Sequence, residues 1–317
     1  MAESLNYRPN RLAQTLRTGK SGQIGILAEQ GFGDLSQAQL YFAQLEIKSH
    51  GFTPTIYLIS GSTEESLSNA VEFMLDAHVD GLVIFGDWAR EEIPRIKEKK
   101  VPFVTVGSPL LTGSPRFYAD KMHGVQTLVT HLLDQGCRKL TLLAPGEAPD
   151  PRKDWHQWCM IEGARNAIAR FPDSGDKPTL AIHSLVHSFE GFMVPEFPHI
   201  HGLYATGYAG MKAIIEADQI PDALICTSDN WAHGAMLACS EAGLQIPKDL
   251  AISGFENDAI SSAGFIPLTS VRQPLDQMLR LAVDYLEGVI QGTRTSEVPA
   301  IMLPCELIVR KSTIRKG

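Results

Sequence analysis

The sequence predicts an α/β protein built from two parallel-sheet units. Short, continuous apolar runs alternate with amphipathic stretches along the chain, the pattern of strands covered on both faces by helices. The 317 residues suit two domains of ordinary size. The strand candidates divide more naturally into two sheets of about five or six than into one of about eleven.

In chain order, a short basic segment at residues 5–20 leads into strand candidates at 23–28, 53–59, 80–85, 102–106 and 139–144, then at 222–227 and 249–254. Helical periodicity fills the intervals at 35–50, 63–77, 89–99, 121–136, 154–171, 206–217, 229–243 and 274–291. Residues 172–202, rich in Pro, Gly and His, read as a variable loop with one strand near 179–183. No internal repeat, low-complexity tract or long linker is visible.

Composition narrows the function classes. The chain is 44% hydrophobic and 20% charged, with net charge −8. Residues 1–20 carry four basic side chains against Glu3, so the acidity belongs to the body. An acidic body repels polyanions, which confines nucleic-acid contact to the basic end. Five cysteines at 137, 159, 226, 239 and 305 form no C-x-x-C pair and suit a reducing compartment. Without a leader-like N-terminus or a run of about 20 apolar residues, a cytoplasmic protein with no membrane partner is expected.

The basic segment has its own logic. Pro9 suits the first turn of a helix. From there Asn10, Ala13 and Leu16 or Arg17 recur at three-residue spacing and share a face. So short a helix is marginal alone and needs a partner to order it. In a phosphate-lined groove its arginines meet the backbone, and Leu16 can wedge between base steps.

Several tracts resemble lactose-repressor-type (LacI/GalR) regulators. Asn6-Tyr7-Arg8-Pro9-Asn10-Arg11-Leu12-Ala13-Gln14 is similar to the end of their DNA-binding headpiece and their hinge helix. Thr227-Ser228-Asp229-Asn230-Trp231, Gly254-Phe255-Glu256-Asn257 and Pro267-Leu268-Thr269-Ser270-Val271-Arg272-Gln273-Pro274 follow in the family's order. So do Glu241-Ala242-Gly243-Leu244 and the closing segment from Leu303 to Thr313. The resemblance implies two Rossmann-like subdomains joined by three crossovers, of the type I periplasmic-binding-protein kind, after a short hinge helix. It divides the chain into a headpiece remnant and hinge at 1–20, one subdomain at 21–119 plus 274–302, and another at 120–273 plus 303–317. It also implies a homodimer, a small effector in the cleft and operator DNA contacted through the hinge, with most of the helix-turn-helix headpiece missing ahead of Met1. The hinge contacts would be Tyr7, Asn10, Arg11, Ala13, Gln14 and Leu16.

Effector residues are expected beyond the carboxyl ends of the strands. Glu29, Asp87, Trp155, Met160, Ser228, Asp229, Glu256 and Gln273 form that set. Carboxylates and amides around an aromatic face suit a polyhydroxylated ligand, so a carbohydrate is expected. Trp88, Trp158 and Trp231 are further candidate faces, though the last two suit helix packing equally well. Asp229 reads also as a helix N-cap, and Glu256 as ligand contact or structure. Many family members have an arginine where this chain has Met160, so Arg152, Lys153 or His156 would have to replace it. The histidines 183, 187, 199 and 201 are too isolated for a metal site and read as loop. With no nucleotide loop, nucleophile elbow or acid/base pair, neither an enzyme nor a cofactor is expected. The rival reading is a sensor or solute-binding protein of the same fold that never touches DNA.

Overall fold

The computed structural model describes residues 20–29, 34–59, 64–86, 88–146, 149–172, 176–184, 202–294 and 298–315. The hinge tract with Tyr7, Asn10, Arg11, Ala13, Gln14 and Leu16 lies outside the described residues, as do Asp87, His187, His199 and His201.

The elements run β1 (Gln23–Glu29), α1 (Asp34–Ser49), β2 (Thr53–Ile59), α2 (Glu64–Asp76), β3 (Gly81–Phe85), α3 (Ile93–Glu98), β4 (Phe103–Val106), β5 (Arg116–Asp120) and α4 (Lys121–Asp134). They continue with β6 (Lys139–Ala144), α5 (Trp155–Ala169), β7 (Thr179–Ser184), α6 (Gly202–Glu216), β8 (Ala223–Cys226), α7 (Asp229–Glu241), β9 (Ala251–Glu256) and α8 (Ala259–Ala263). The chain closes with β10 (Thr269–Arg272), α9 (Leu275–Ile290), β11 (Ala300–Pro304) and β12 (Glu306–Ile308).

Two compact units result. One takes Ser36–Tyr118 and Leu275–Met302 with the start of the chain; the other takes Ala119–Pro274 and Leu303–Gly317. Each holds a six-stranded sheet, ordered β11-β5-β4-β3-β1-β2 in the first and β12-β10-β9-β8-β6-β7 in the second. The first-unit pairs β1–β2, β1–β3, β3–β4 and β4–β5 are parallel. In the second unit β6–β7, β6–β8, β8–β9 and β9–β10 are parallel, and β12 runs antiparallel to β10.

Strands read as continuous apolar runs are buried end to end. β3 (Gly-Leu-Val-Ile-Phe) and β8 (Ala-Leu-Ile-Cys) are buried at every position. The second unit's sheet has a cluster on each face. Val125, Leu128, Met160 and Ala164 gather on one side, and Tyr208, Met211, Trp231 and Ala235 on the other. Each fully buried Leu or Ile side chain contributes about 1.5–3 kcal/mol. On the second face two glycines permit a close helix crossing. A methyl at Gly207 would collide with the Trp231 backbone, and one at Gly234 with Tyr204.

The two units share an anchoring device that no sequence repeat announces. Asp80, just before β3, accepts hydrogen bonds from Ser21 N at 2.7 Å and Gly22 N at 2.8 Å. Asp222, just before β8, accepts from Arg138 N at 2.7 Å and Lys139 N at 2.8 Å. In both, a carboxylate ahead of the third strand in chain order grips the backbone entering the first. It thereby satisfies N–H groups that strand pairing leaves over.

Some elements differ from expectation. The helix anticipated at 89–99 is a single 3-10 turn at Trp88–Glu91 followed by the short α3. Strands β5, β10 and β11 were not anticipated. β10 is four residues set between Pro267 and Pro274, and β5 and β11 alternate in exposure rather than forming an apolar run. Trp231 is 3% exposed and belongs to the core between α6 and α7, not to a ligand face.

Candidate functional site

The carboxyl ends of β6, β8 and β9 and the amino ends of α4 and α5 bring together the densest polar chemistry of the second unit. The starts of α4, α5 and α7 are capped. Asp120 accepts from His123 N, Asp154 from Gln157 N and Ser228 from Trp231 N. Ser228 is therefore the cap of α7, committed to that N–H. Asp229 is the first helical residue instead of the cap.

Asp229 is fully buried and wholly engaged. One carboxylate oxygen accepts from Ser270 Oγ at 2.6 Å; the other accepts from Asp258 N and Ser261 Oγ, each at 2.7 Å. Burial pushes its pKa up to about 6, against those three donors. Gly254 of β9 has to be glycine here, since a methyl would strike the Asp229 carboxylate. Asp229 thus spends both carboxylate oxygens on bonds inside the second unit.

Above it the backbone turns sharply. Glu256 has φ +113° and Asn257 φ +56°, two successive positive values in non-glycine residues. Each such conformation costs about 1–3 kcal/mol unless its surroundings hold it. Ser270 Oγ accepts from Asn257 N at 2.9 Å, and Arg310 donates to Asn257 Oδ1 at 2.6 Å and to Leu268 O at 2.7 Å. The strained turn sets Glu256 at the carboxyl end of β9.

Lys121, first residue of α4, lies in electrostatic reach of Glu256 and Asp154. Burial pushes its ammonium below the ordinary range, opposed by Cys159 and the two carboxylates. His156, in the first turn of α5, packs edge-on against Phe255 with centroids 5.3 Å apart. Its Nε2–H donates to Thr227 O at 3.1 Å. Burial and the Lys121 charge pull its pKa down to about 3, despite the Thr227 bond. The ring is therefore neutral, with its lone pair on Nδ1. That atom is buried with no hydrogen-bond partner among the described residues. Trp155 and Trp158 stack beside it, centroids 5.0 Å apart and planes 26° apart.

The expected set divides accordingly. Trp155 and Glu256 sit at these element ends, Ser228 and Asp229 support them, and Gln273 is 5% exposed at the end of β10 with its Nε2 unpartnered among the described residues. Met160 has no exposed surface and belongs to the core cluster under α4 and α5. It was placed at the site only because relatives carry an arginine there, and an apolar side chain at that position turns inward. Glu29 is an exposed residue closing β1 in the other unit. Of the three proposed replacements for the arginine, Arg152 is 84% exposed and pairs with Asp150, and Lys153 is exposed. Only His156 is partly buried, with its Nδ1 shielded from solvent. Lys121 was missed because a lysine opening a helix normally reads as a solvated charge.

The thiols are held in their protonated form. All five cysteines are free, and burial pushes Cys159, Cys239 and Cys305 up to about 12. No metal-ligand cluster occurs among the described residues. Within the same residues no helix is long and apolar enough to cross a membrane.

A family profile described as the periplasmic binding protein-like domain matches residues 129–313. The chain belongs to that family, in its LacI/GalR branch. One relative of this LacI/GalR-type chain is the HTH-type transcriptional regulator MalR of Streptomyces coelicolor, 29% identical over 96% of this chain and 83% of the relative. Another is the HTH-type transcriptional repressor PurR of Haemophilus influenzae, 26% identical over 98% of this chain and 87% of the relative. Among solved structures, a lac repressor dimer bound to operator and the anti-inducer ONPF superposes with TM-score 0.79 at 22% identity, covering 99% of this chain and 88% of that one. A complex of the transcriptional regulator CelR with cellobiose superposes with TM-score 0.71 at 20% identity, covering 98% and 88%. These relatives are transcriptional regulators, and this LacI/GalR-type chain is a regulator and not an enzyme.

Proposed function

We propose that the protein is a cytoplasmic, ligand-responsive DNA-binding regulator whose effector is a neutral carbohydrate held by Glu256, Lys121, His156 and the Trp155–Trp158 face. The observation that carries the reading is the buried, unpartnered Nδ1 of His156 beside the Lys121 ammonium. A sugar hydroxyl can donate to that lone pair while its oxygen accepts from Lys121. Glu256 accepts from a second hydroxyl, and the indoles cover the apolar face of the ring. At the position where many relatives carry an arginine to clamp a carboxylate, this chain has the buried, apolar Met160. A cellobiose complex in a structural neighbour supports the same ligand class.

Effector binding favours one arrangement of the two subdomains. That arrangement sets the spacing of paired hinge segments in a homodimer, so that Leu16 wedges seat on operator DNA or stay disengaged. Tyr7, Asn10, Arg11, Ala13 and Gln14 surround that wedge. The dimer contact lies on the second unit. Phe265 is fully exposed there, beside Leu237 at 43% and a groove of about 630 Å³ lined also by Met236, Leu244 and Ile246. Such an apolar patch suits a second copy of the chain. Titration of the chain with cellobiose, maltose and D-ribose, read against Glu256→Gln and His156→Phe, tests the site. Binding lost in both variants is expected; unchanged binding in both would remove the assignment.

A further inference from the structure

Away from the effector residues, the first unit carries a groove at the amino-terminal edge of its sheet. It encloses about 550 Å³ and is bounded by Lys20, Arg95, Lys99, Lys100 and His78 on a floor that includes Val101 and Pro102. Three acids also line it, and two of them are already engaged. Asp80 holds Ser21 and Gly22, and Glu72 faces Arg95 at 3.4 Å. Lys20 lies on the rim, its Nζ donating to Ile290 O at 3.2 Å. It is also the last residue of the basic tract 1–20.

Lys99 and Lys100 are exposed, on the two residues that follow α3, Lys99 being its C-cap. Lys100 has φ +56°, which turns the chain out of the helix and separates the two side chains. The body of the protein is acidic, so a local cluster of cations continuous with a basic tract is not a consequence of composition.

We propose that this groove is a phosphate-contact surface, on which Lys99 and Lys100 meet the backbone of the same DNA that the basic tract engages. The inference rests on the DNA-binding reading above, and extends it from the hinge to the folded body. Charge complementarity selects the occupant, because two ammonium groups separated by a turn can each neutralise a phosphate without reading sequence. Each such contact steepens the fall of affinity with salt, by about 0.9 in the log–log slope.

The test is anisotropy of a labelled 30-base-pair duplex titrated with the 317-residue chain across a KCl series starting at low salt. The double variant Lys99→Gln/Lys100→Gln is expected to bind several-fold more weakly at low salt, with the slope shallower by about 1.8, twice the single-phosphate value. A control, Lys248→Gln/Lys311→Gln, makes the same change of net charge on exposed residues of the second unit and should leave the slope unaltered. Arg8→Gln/Arg11→Gln tests the tract separately. If the tract variant weakens binding and the groove variant does not, the groove proposal fails while the DNA-binding reading stands. Equal slope changes in groove variant and control overturn it too, as a net-charge effect. Binding of poly-L-glutamate as tight as that of DNA would reassign the surface to acidic proteins, and a parent chain that binds no duplex at low salt rejects it outright.

Discussion

Replacing Asp229 by Asn should change the pH dependence of stability in a calculable way. In the folded chain Asp229 titrates near 6 and His156 near 3, where their ordinary values are 3.8 and 6.5. A raised carboxyl contributes stability that is complete below its unfolded value and lost as pH rises through the folded one. For Asp229 that is a loss between about pH 4 and 6, worth about 3 kcal/mol in all. A depressed imidazole contributes stability that is complete above its unfolded value and lost as pH falls toward the folded one. Across the same window His156 therefore loses stability on acidification, at about 1.4 kcal/mol per pH unit. The two slopes are opposite and nearly equal, so together they make the window flat. Asp229→Asn removes one of them. Relative to the parent, the variant should lose about 1.4 kcal/mol for each pH unit between 6 and 4. A pH-independent cost of about 1–3 kcal/mol comes on top, because an amide cannot accept from all three donors. Urea unfolding followed by tryptophan fluorescence at half-unit steps from pH 4.5 to 7 reads this directly, since Trp155, Trp158 and Trp231 all report on the second unit. A difference between variant and parent that stays constant with pH would refute the account of Asp229, since His156 is common to both chains and cancels from the difference.

Other consequences are as specific. Gly207→Ala drives a methyl into the Trp231 backbone; it should cost about 1–3 kcal/mol or more by overpacking, seen as a lowered urea midpoint. Phe265→Asp places a charge on the exposed apolar patch, and light scattering should find monomer where the parent gives dimer. Leu16→Ala, in a headpiece-bearing chain, should weaken operator binding and leave effector affinity unchanged; equal operator affinity in variant and parent would remove the wedge. Glu256→Gln should abolish the response to sugar while keeping the unfolding free energy from urea titration within about 1 kcal/mol of the parent, because its cost falls on the ligand and not on the core.

Much of the fold is legible in the order of apolar runs. β3 and β8 are uninterrupted apolar segments between helical patterns, and nothing but a doubly covered parallel sheet buries them at every residue. The short strands were not legible, because β10 has only four residues and β5 alternates like a half-exposed strand. The site divides the same way. Glu256 could be placed because it ends a strand in a recognisable motif. Asp229 could not be assigned from sequence, since an N-cap, a ligand contact and a buried strut all use an aspartate just after a strand. Only the three donors and full burial decide for the strut. Lys121 escaped because desolvation is a property of the packed surroundings, and the local sequence around it reads as an ordinary helix start. His156 is legible only as one of three substitutes for the missing arginine, and packing alone separates it from the exposed Arg152 and Lys153.

The central claim is that a neutral sugar fills the polar cluster of the second unit. A thermal-shift series of the chain with cellobiose, maltose, D-ribose, sugar acids and purines tests it most directly, since a ligand at 100 times its Kd adds about 2.7 kcal/mol to the folded state. The account predicts a raised midpoint with at least one neutral sugar and none with the sugar acids. A midpoint raised by an acid or a purine alone, or by nothing in the series, would contradict it.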